Sequence, residues 1–498
     1  MRLLEILFLP CLASAMLPSK LSCTIVGAGP AGLTLALALN KLSIFERIDI
    51  LERRSALAAE TTKAYLYLLD GRSKEVLELV NVWNGLKELA VSSKKFTHVN
   101  EISKSGVLKK LNIPIDATAE EKLWLPREAL IGALVAEVQS ANNSHIALHY
   151  NNSATYETIA EGRDCVVFDA SGYRSEIVSN LLDQGRLSVY ERESDSAGLQ
   201  YKILSIDAAF SLPSGDASDC ESSYVFRSKQ SNLNLGLLPV KRSAISSTGK
   251  RTANVIMRKD SALWRVKDPQ ELRSYLSERF PQLAGATLAS LVSSNEAERF
   301  VLAPPGVFPK PRCISPLYDF DSNSNRLIAI CGDAAHAFPP DIGQGVNAAL
   351  EDVLCLYTAA KASAGADFDL LTLGRAYDAS RRRSHRALID IMAVAFPYQY
   401  NQSAFKKQLA YLNFALRLAL NKVCPFLFAK PLFFLVQSSA MPYEKALQLA
   451  NRTTRNILTV VSMAVAVAFV SWRALLTARE MFVVLSFPLV TLLYFNDA

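Results

Sequence analysis

The chain has little of what a metal or redox centre needs. Its eight cysteines, Cys11, Cys23, Cys165, Cys220, Cys313, Cys331, Cys355 and Cys424, contain no CxxC pair. That excludes zinc-ribbon spacing and a vicinal redox dithiol, and leaves reduced, structural thiols. The five histidines do not cluster along the sequence, so no metal is expected. No basic run is interleaved with aromatics, which argues against nucleic acid as a partner. Charge of one sign is in only moderate excess, at +7. The basic clusters, Lys241-Arg242 with Lys250-Arg251 and Arg381-Arg382-Arg383 with Arg386, read as a polar hairpin loop and a solvated helix face, or as contacts for lipid head groups. Internal repeats and long low-complexity linkers are also missing. Half of the 498 residues are hydrophobic, enough for a large core divided into two or three domains.

Two glycine-rich segments, far apart in the chain, stand out. Leu21 to Val26 is a short apolar run, and from Pro30 no charge appears until Lys41. This predicts a buried strand, a tight turn and a buried helix. Gly27-Ala28-Gly29-Pro30-Ala31-Gly32 fills the turn as GxGxxG. Gly27 permits the turn, Gly29 lets backbone approach a pyrophosphate, and Gly32 lets helix pack on strand, with phosphates at the positive end of the helix. A second strand, Ile48 to Leu51, ends in Glu52, where a carboxylate can accept hydrogen bonds from both ribose hydroxyls of an adenosine. Arg53 follows as a cover for the adenine. Such turns also occur without a ligand, but the acidic strand end favours a dinucleotide.

The later segment begins with the buried strand Arg326 to Cys331 and continues as Gly332-Asp333-Ala334-Ala335-His336-Ala337-Phe338-Pro339-Pro340-Asp341-Ile342-Gly343-Gln344-Gly345-Val346-Asn347. Asp333, just past the strand, is placed to hydrogen-bond the ribityl chain of a flavin. Gly343, Gln344 and Gly345 lead into a helix expected over Val346 to Leu356, whose free amides and dipole would face the N1–C2=O edge of the ring. His336 reads as a packed, hydrogen-bonded residue rather than a base.

These residues resemble the FAD-dependent aromatic hydroxylases, the group A flavoprotein monooxygenases. The late signature of that superfamily is Gly-Asp-Ala-Ala-His, Pro, Gly-Gln-Gly-x-Asn and Glu-Asp, completed here by Glu351 and Asp352. Within it the chain is most similar to the kynurenine 3-monooxygenases, through Tyr67 to Ser73, Gln200 to Ile203, the helix through Tyr275 to Pro281, and Tyr443 to Ala446. The resemblance implies FAD, with NADPH or NADH as electron donor, O2, and a small aromatic or electron-rich substrate oxygenated through a flavin C4a-hydroperoxide. It implies that Pro340 lines the flavin face, that Gly343 to Asn347 hold the pyrimidine edge, and that Arg127, opening a helix after Leu123 to Pro126, contacts flavin or phosphate.

The implied fold is α/β: a Rossmann-like FAD-binding domain, an inserted, mainly antiparallel substrate sheet and a C-terminal helical membrane anchor. The FAD domain would run from Leu21 to Asp195, interrupted by a substrate-domain segment at about 65–115, and finish over Pro311 to Ala395. The sheet domain takes 196–310, with strands at Tyr224 to Phe226, Leu233 to Val240 and Asn254 to Met257. Asp268, Pro269 and Glu271 predict a helix start with a capping box. Residues 396–455 read as amphipathic helices roofing the pocket.

Two departures from the family bear on substrate and cofactor. Where the kynurenine enzymes hold a carboxylate with Arg, Tyr and Asn, this chain reads Lys94-Lys95-Phe96-Thr97-His98-Val99 and Met392-Ala393-Val394-Ala395. A bidentate guanidinium is lost, and Lys94 or Lys95 is a looser point charge. The Asp-Gly motif that assists with NADPH and flavin has Ser171 for Asp and Val178 for Arg, with Asp169 and Arg174 as nearby substitutes.

At the ends, Met1 to Ala15 reads as a signal or plastid-targeting leader, or as a short apolar tail. Asn456 to Trp472 and Met481 to Asn496 are apolar, uncharged segments close to the lower limit of about 17 residues for a membrane helix. Arg473 and Arg479 between them leave one or two crossings open. The alternatives to a hydroxylase are a membrane-bound epoxidase or reductase of lipids, and a flavin-binding membrane module without turnover.

Overall fold

The computed structural model describes residues 21–55, 66–95, 98–112, 120–140, 143–162, 164–229, 233–242, 250–283, 288, 291–364, 368–395, 398–400 and 402–494. The expected leader, Met1 to Ala15, lies outside them.

Strand Leu21–Val26 runs into helix Pro30–Asn40, in which Ala31 to Leu39 are all buried. A helix apolar all round needs cover on every side, which a sheet with helices on both faces provides. The sheet has six strands, in the order Tyr318–Asp321, Arg326–Ile330, Val166–Asp169, Leu21–Val26, Phe45–Leu51 and Ile146–His149. All pairings are parallel except that of the edge strand Tyr318–Asp321. From Leu21–Val26 the chain builds outward first on one side and then on the other. The strand order therefore reverses beside Val166–Asp169, and the crevice at such a reversal is where open α/β sheets bind ligands. The register aligns Val26 with Asp169 and Asp169 with Ile330, so the three following turns lie side by side.

A second sheet of seven strands carries its own core, including Phe210, Phe226, Leu272, Leu276 and Phe280. It is antiparallel apart from Ser223–Arg227 beside His98–Ile102. In Lys250–Met257 burial alternates strictly, so Arg251, Ala253, Val255 and Met257 face that core while Asn254 and Ile256 face the first domain across a cleft. Helix Pro269–Arg279 covers the far side. Asp268 caps it by accepting from the Glu271 amide, but Glu271 accepts from Lys267 rather than closing the reciprocal half of the box.

The basic clusters are not simply solvated. Arg251 is 2% exposed and donates to the carbonyls of Ser222 and Leu238, and Arg381 is equally buried. Carbonyls and carboxylates surrounding these two guanidiniums replace their water; Arg382 and Arg383 do face solvent.

The two C-terminal apolar segments form neither a hairpin nor separate helices. As far as Tyr494, the last residue described, they lie in one helix, Tyr443–Tyr494, of 52 residues, about 78 Å long at 1.5 Å per residue. Its first turns pack on the protein through Tyr443, Ala446, Ala450 and Thr453. From Leu458 to Arg473 its side chains are exposed, and Leu458, Val461, Val465, Phe469 and Trp472 are each more than half so. The preceding helix, Ala404–Val423, has no buried residue and presents Phe405, Leu409, Leu412 and Leu416 outward.

Candidate flavin and substrate cleft

The first corner is fixed by backbone contacts. Gly27 has φ of +103°, and a Cβ there would meet the Ala170 carbonyl oxygen at 2.6 Å. A Cβ on Gly32 would come within 2.0 Å of the Gly27 carbonyl oxygen, whereas one on Gly29 would meet nothing within 4 Å. Gly27 and Gly32 therefore shape the turn, and Gly29 leaves open space at the helix N-terminus. Ala28 donates its amide to Glu52 at 3.0 Å.

Glu52 is 4% exposed. Burial works against its charge, but hydrogen bonds from Arg54 and from the Ala28 amide outweigh it and hold the carboxyl below its ordinary value. Arg54, which sequence reasoning overlooked, donates its amide and Nε to Oε1 at 3.0 and 2.8 Å and Nη2 to Oε2 at 3.1 Å. Ribose hydroxyls would compete with this guanidinium for the same oxygens. Arg53 is exposed beside them on the cleft wall.

The second corner meets the first. A Cβ built on Gly332 would lie 3.5 Å from the Ala31 methyl group and 3.4 Å from that of Ala349. Asp333 is exposed and lines the cleft; the dense protein around pushes its carboxyl up, with His336 and Arg127 acting in the opposite direction. Helix Gly345–Ser363 starts here and runs past the expected end at Leu356. Gly343, Gly345 and Val346 line the cleft, as does Pro340.

The Gln344 and Asn347 side chains do not face the cleft. Asn347 accepts from the Asp70 amide and from Ser73 and donates to the Leu68 and Gly343 carbonyls. Gln344 donates to Asp70 and accepts from the Tyr443 hydroxyl at 2.9 Å. Both tie the helix start to the segment Leu68 to Ser73, so any flavin contact here comes from backbone. Arg72, in that segment, donates to the carbonyls of Val436, Ser438 and Met441 and sits 4.5 Å over the Tyr443 ring. It holds the C-terminal region against this corner.

Behind the corner, Asp352 is a fully buried hub. It accepts from the Gly332 amide, His336 Nε2, His385 Nε2 and Arg381 Nε, at 3.0, 2.9, 2.7 and 2.7 Å. Two of the five histidines do meet, with His336 and His385 rings 4.4 Å apart; sequence spacing gave no sign of it. Ligand atoms of His336, Asp352 and His385 all lie within 4.8 Å of one another. Both Nε2–H groups and a guanidinium already fill the carboxylate, so this is a hydrogen-bonded support rather than a metal cradle.

The cleft between these corners and the antiparallel sheet is continuous, about 2630 Å³. A pocket for a drug-sized ligand holds about 300–1,000 Å³, so a dinucleotide and a substrate fit together. Arg127 lines it, as does Tyr67, which interacts with Arg127 and whose hydroxyl pKa is raised by burial. Asp169 does not take over from Ser171 in the altered Asp-Gly motif. Its oxygens are occupied by the Ser171 amide and hydroxyl and by Ser175; Arg174 does reach the cleft. Lys94 is exposed and away from the cleft wall, while Lys122, Lys422 and Lys430 line it.

The family model described as an FAD binding domain matches residues 20–176 and 321–391, the halves that converge here. The chain thus carries an FAD-binding domain in two segments, and its fold is that of solved FAD-dependent monooxygenases. Among curated proteins, kynurenine 3-monooxygenase of Saccharomyces cerevisiae is 25% identical over 215 residues, 42% of this chain and 43% of that protein's length. Solved structures with a similar fold include 2-methyl-3-hydroxypyridine-5-carboxylic acid oxygenase in its tetrameric form (TM-score 0.53, 15% identity, 81% of this chain and 96% of that one). PqsL of Pseudomonas aeruginosa in complex with 2-aminobenzoylacetate gives a TM-score of 0.51 at 18% identity, over 78% of this chain and 99% of that one. Tetracycline destructase Tet(51) gives 0.51 at 13% identity, over 82% and 99%.

Proposed function

We propose that this protein is an FAD-dependent monooxygenase that uses NADPH or NADH and O2 to oxygenate an aromatic or electron-rich small molecule. The observation behind this is that the two glycine corners and the second sheet, through Tyr201, Asn254 and Ile256, border one uninterrupted cleft. FAD, when bound, supplies the redox chemistry between nicotinamide, O2 and substrate. The chain's own residues bind and orient. Amides at the start of helix Pro30–Asn40 would hold the pyrophosphate, Glu52 the adenosine ribose, and Asp333 the ribityl hydroxyls. Amides opening helix Gly345–Ser363 would meet the pyrimidine edge, where a helix N-terminus favours negative charge. Arg127 would contact a phosphate or ring oxygen, and Pro340 would border the face toward substrate.

Kynurenine is not favoured as the substrate, since Lys94 lies off the cleft and Met392 is buried in an apolar cluster with Phe338, Leu388 and Val436. A lipid or isoprenoid substrate is the second reading. Leu418, Phe433 and Phe434 line the cleft next to the uncovered helices, so an apolar molecule could enter from a bilayer. In the same reading Asn456 to Trp472 spans lipid, and the exposed apolar row of Ala404–Val423 lies on its surface. The full chain should then stay with the membrane pellet after an alkaline carbonate wash; release into the supernatant would refute attachment.

The main test is a compound that accelerates NADPH oxidation by purified protein and gains one oxygen by mass spectrometry. Flavin absorbance without stimulation by any phenolic, aminoaryl or isoprenoid compound would favour a module without turnover. Asp333→Ala is expected to lower FAD content per chain severalfold while the unfolding midpoint of the flavin-free protein stays close to wild type. Full FAD content in that variant would remove Asp333 from the site.

A further inference from the structure

Asp341 directly follows Pro340 and lines the cleft, yet only 5% of its surface is accessible. Its backbone carbonyl accepts from Gln399 Nε2 at 2.8 Å. Neither carboxylate oxygen has a well-formed hydrogen bond among the described residues. The polar groups facing it, Ser196, Gln399 and Tyr400, are uncharged; they favour the ionised form without being aligned to bond it. Burial is the larger effect and pushes the carboxyl up to about 6, so at neutral pH it is mostly charged. A buried carboxylate without a well-formed hydrogen bond is costly, and in a cleft it is completed by what enters there, solvent or ligand.

The surroundings say what kind of ligand. Tyr400 packs on Phe308 with ring centroids 5.5 Å apart, and Phe308 packs on Tyr201 at 5.3 Å. All three line the cleft, joined by Ile256 from the second sheet. The side-chain amide oxygen of Asn254, on the same strand face as Ile256, is also buried without a partner. Unmatched groups on this wall are acceptors, set beside flat aromatic surface.

We propose that Asp341 is a specificity-determining residue: its carboxylate accepts a hydrogen bond from a hydroxyl, amino or ammonium group of the substrate, whose ring lies along the Tyr201–Phe308–Tyr400 wall. This rests on the monooxygenase reading for the identity of the ligand, but not for the binding event itself. A substrate carboxylate is excluded from this end of the cleft by like charge, the reverse of recognition by a guanidinium. A site built to bond a donor also rejects the isostere lacking it, because its own buried group is then left unpaired.

The test uses the FAD-loaded full chain and four probes: 4-ethylphenol, 4-ethylaniline, 4-ethylanisole and 4-ethylbenzoate. Isothermal titration calorimetry should show the phenol or the aniline binding at least tenfold more tightly than the anisole and the benzoate. Asp341→Asn, with FAD content and unfolding midpoint matched to wild type, should narrow that preference to within about threefold and let the benzoate bind. Asp341→Leu should bind the anisole best. Equal binding of all four probes by wild type, no binding of any, or an unchanged preference in Asp341→Asn would overturn the proposal. A preserved binding preference with no probe stimulating NADPH oxidation would count against the monooxygenase reading while leaving Asp341 as the acceptor.

Discussion

Gly32→Ala should yield a chain that holds no FAD and unfolds well below wild type, whereas Gly29→Ala should fold normally and lose only flavin affinity. The difference lies in what each new methyl group meets. At Gly32 it would press to 2.0 Å from a backbone carbonyl oxygen, and no side-chain rotation can relieve that. Overpacking typically costs about 1–3 kcal/mol, and a contact this short on rigid backbone belongs at or above the top of that range. Helix Pro30–Asn40 would have to lift from its strand, taking the anion-binding amides with it. At Gly29 the protein offers nothing within 4 Å, and its φ of −80° suits alanine. The cost then falls on the ligand that approaches there, about 1–3 kcal/mol, or roughly 5- to 150-fold in FAD affinity. Flavin content after gel filtration and the unfolding midpoint of the flavin-free proteins separate the two outcomes. Wild-type FAD retention by Gly32→Ala would show that helix and strand do not pack as described.

Loss of Asp352 is the second large effect. Asp352→Ala removes four hydrogen bonds at once and leaves Arg381 with Glu351, at 2.9 Å, as its remaining carboxylate. Breaking a buried charged network from one side costs about 3–5 kcal/mol, so the variant should be poorly folded and flavin-free. The same hub predicts the response to acid. Burial pulls the His385 pKa down to about 4, against the field of Asp352, while an unfolded histidine titrates near 6.5. Between these values the unfolded chain binds the extra proton, so stability is full above pH 6.5 and declines as pH falls toward 4. Asp352, held well below the ordinary carboxylate range by His385, His336 and Arg381 despite its burial, keeps its contribution until still lower pH. Urea unfolding at pH 7 and pH 4.5 should show this loss in wild type and a smaller one in His385→Gln. An equal pH dependence in both would mean that His385 is not the group responsible.

What sequence revealed and what it concealed divide along a physical line. The turn positions of Gly27 and Gly32 and the place of Asp333 just past a strand were readable because they depend on neighbours a few positions away. The apolar C-terminal helix was readable from composition, although its continuity through Arg473 was not. Asn347 was assigned to the cofactor edge by motif, yet its side chain bonds Asp70, 277 positions distant. No local pattern encodes such a pairing. Arg251 and Arg381 looked solvated because charge normally seeks water, and only a folded interior supplies the carbonyls and carboxylates that replace it. His385 escaped notice for the same reason; that reason does not cover Arg54, whose partner Glu52 lies only two positions away.

The sequence by itself determined that two segments have the turn chemistry to grip a flavin nucleotide, and that the tail is apolar enough to seek lipid. Tertiary structure alone decided that those segments touch, which of their side chains face the cleft and which fasten the scaffold, and that the Asp341 carboxylate stands without a well-formed hydrogen bond beside an aromatic wall. Local backbone preferences are set within one turn of chain, but the direction and partner of a buried polar side chain are set by whatever the fold brings opposite it.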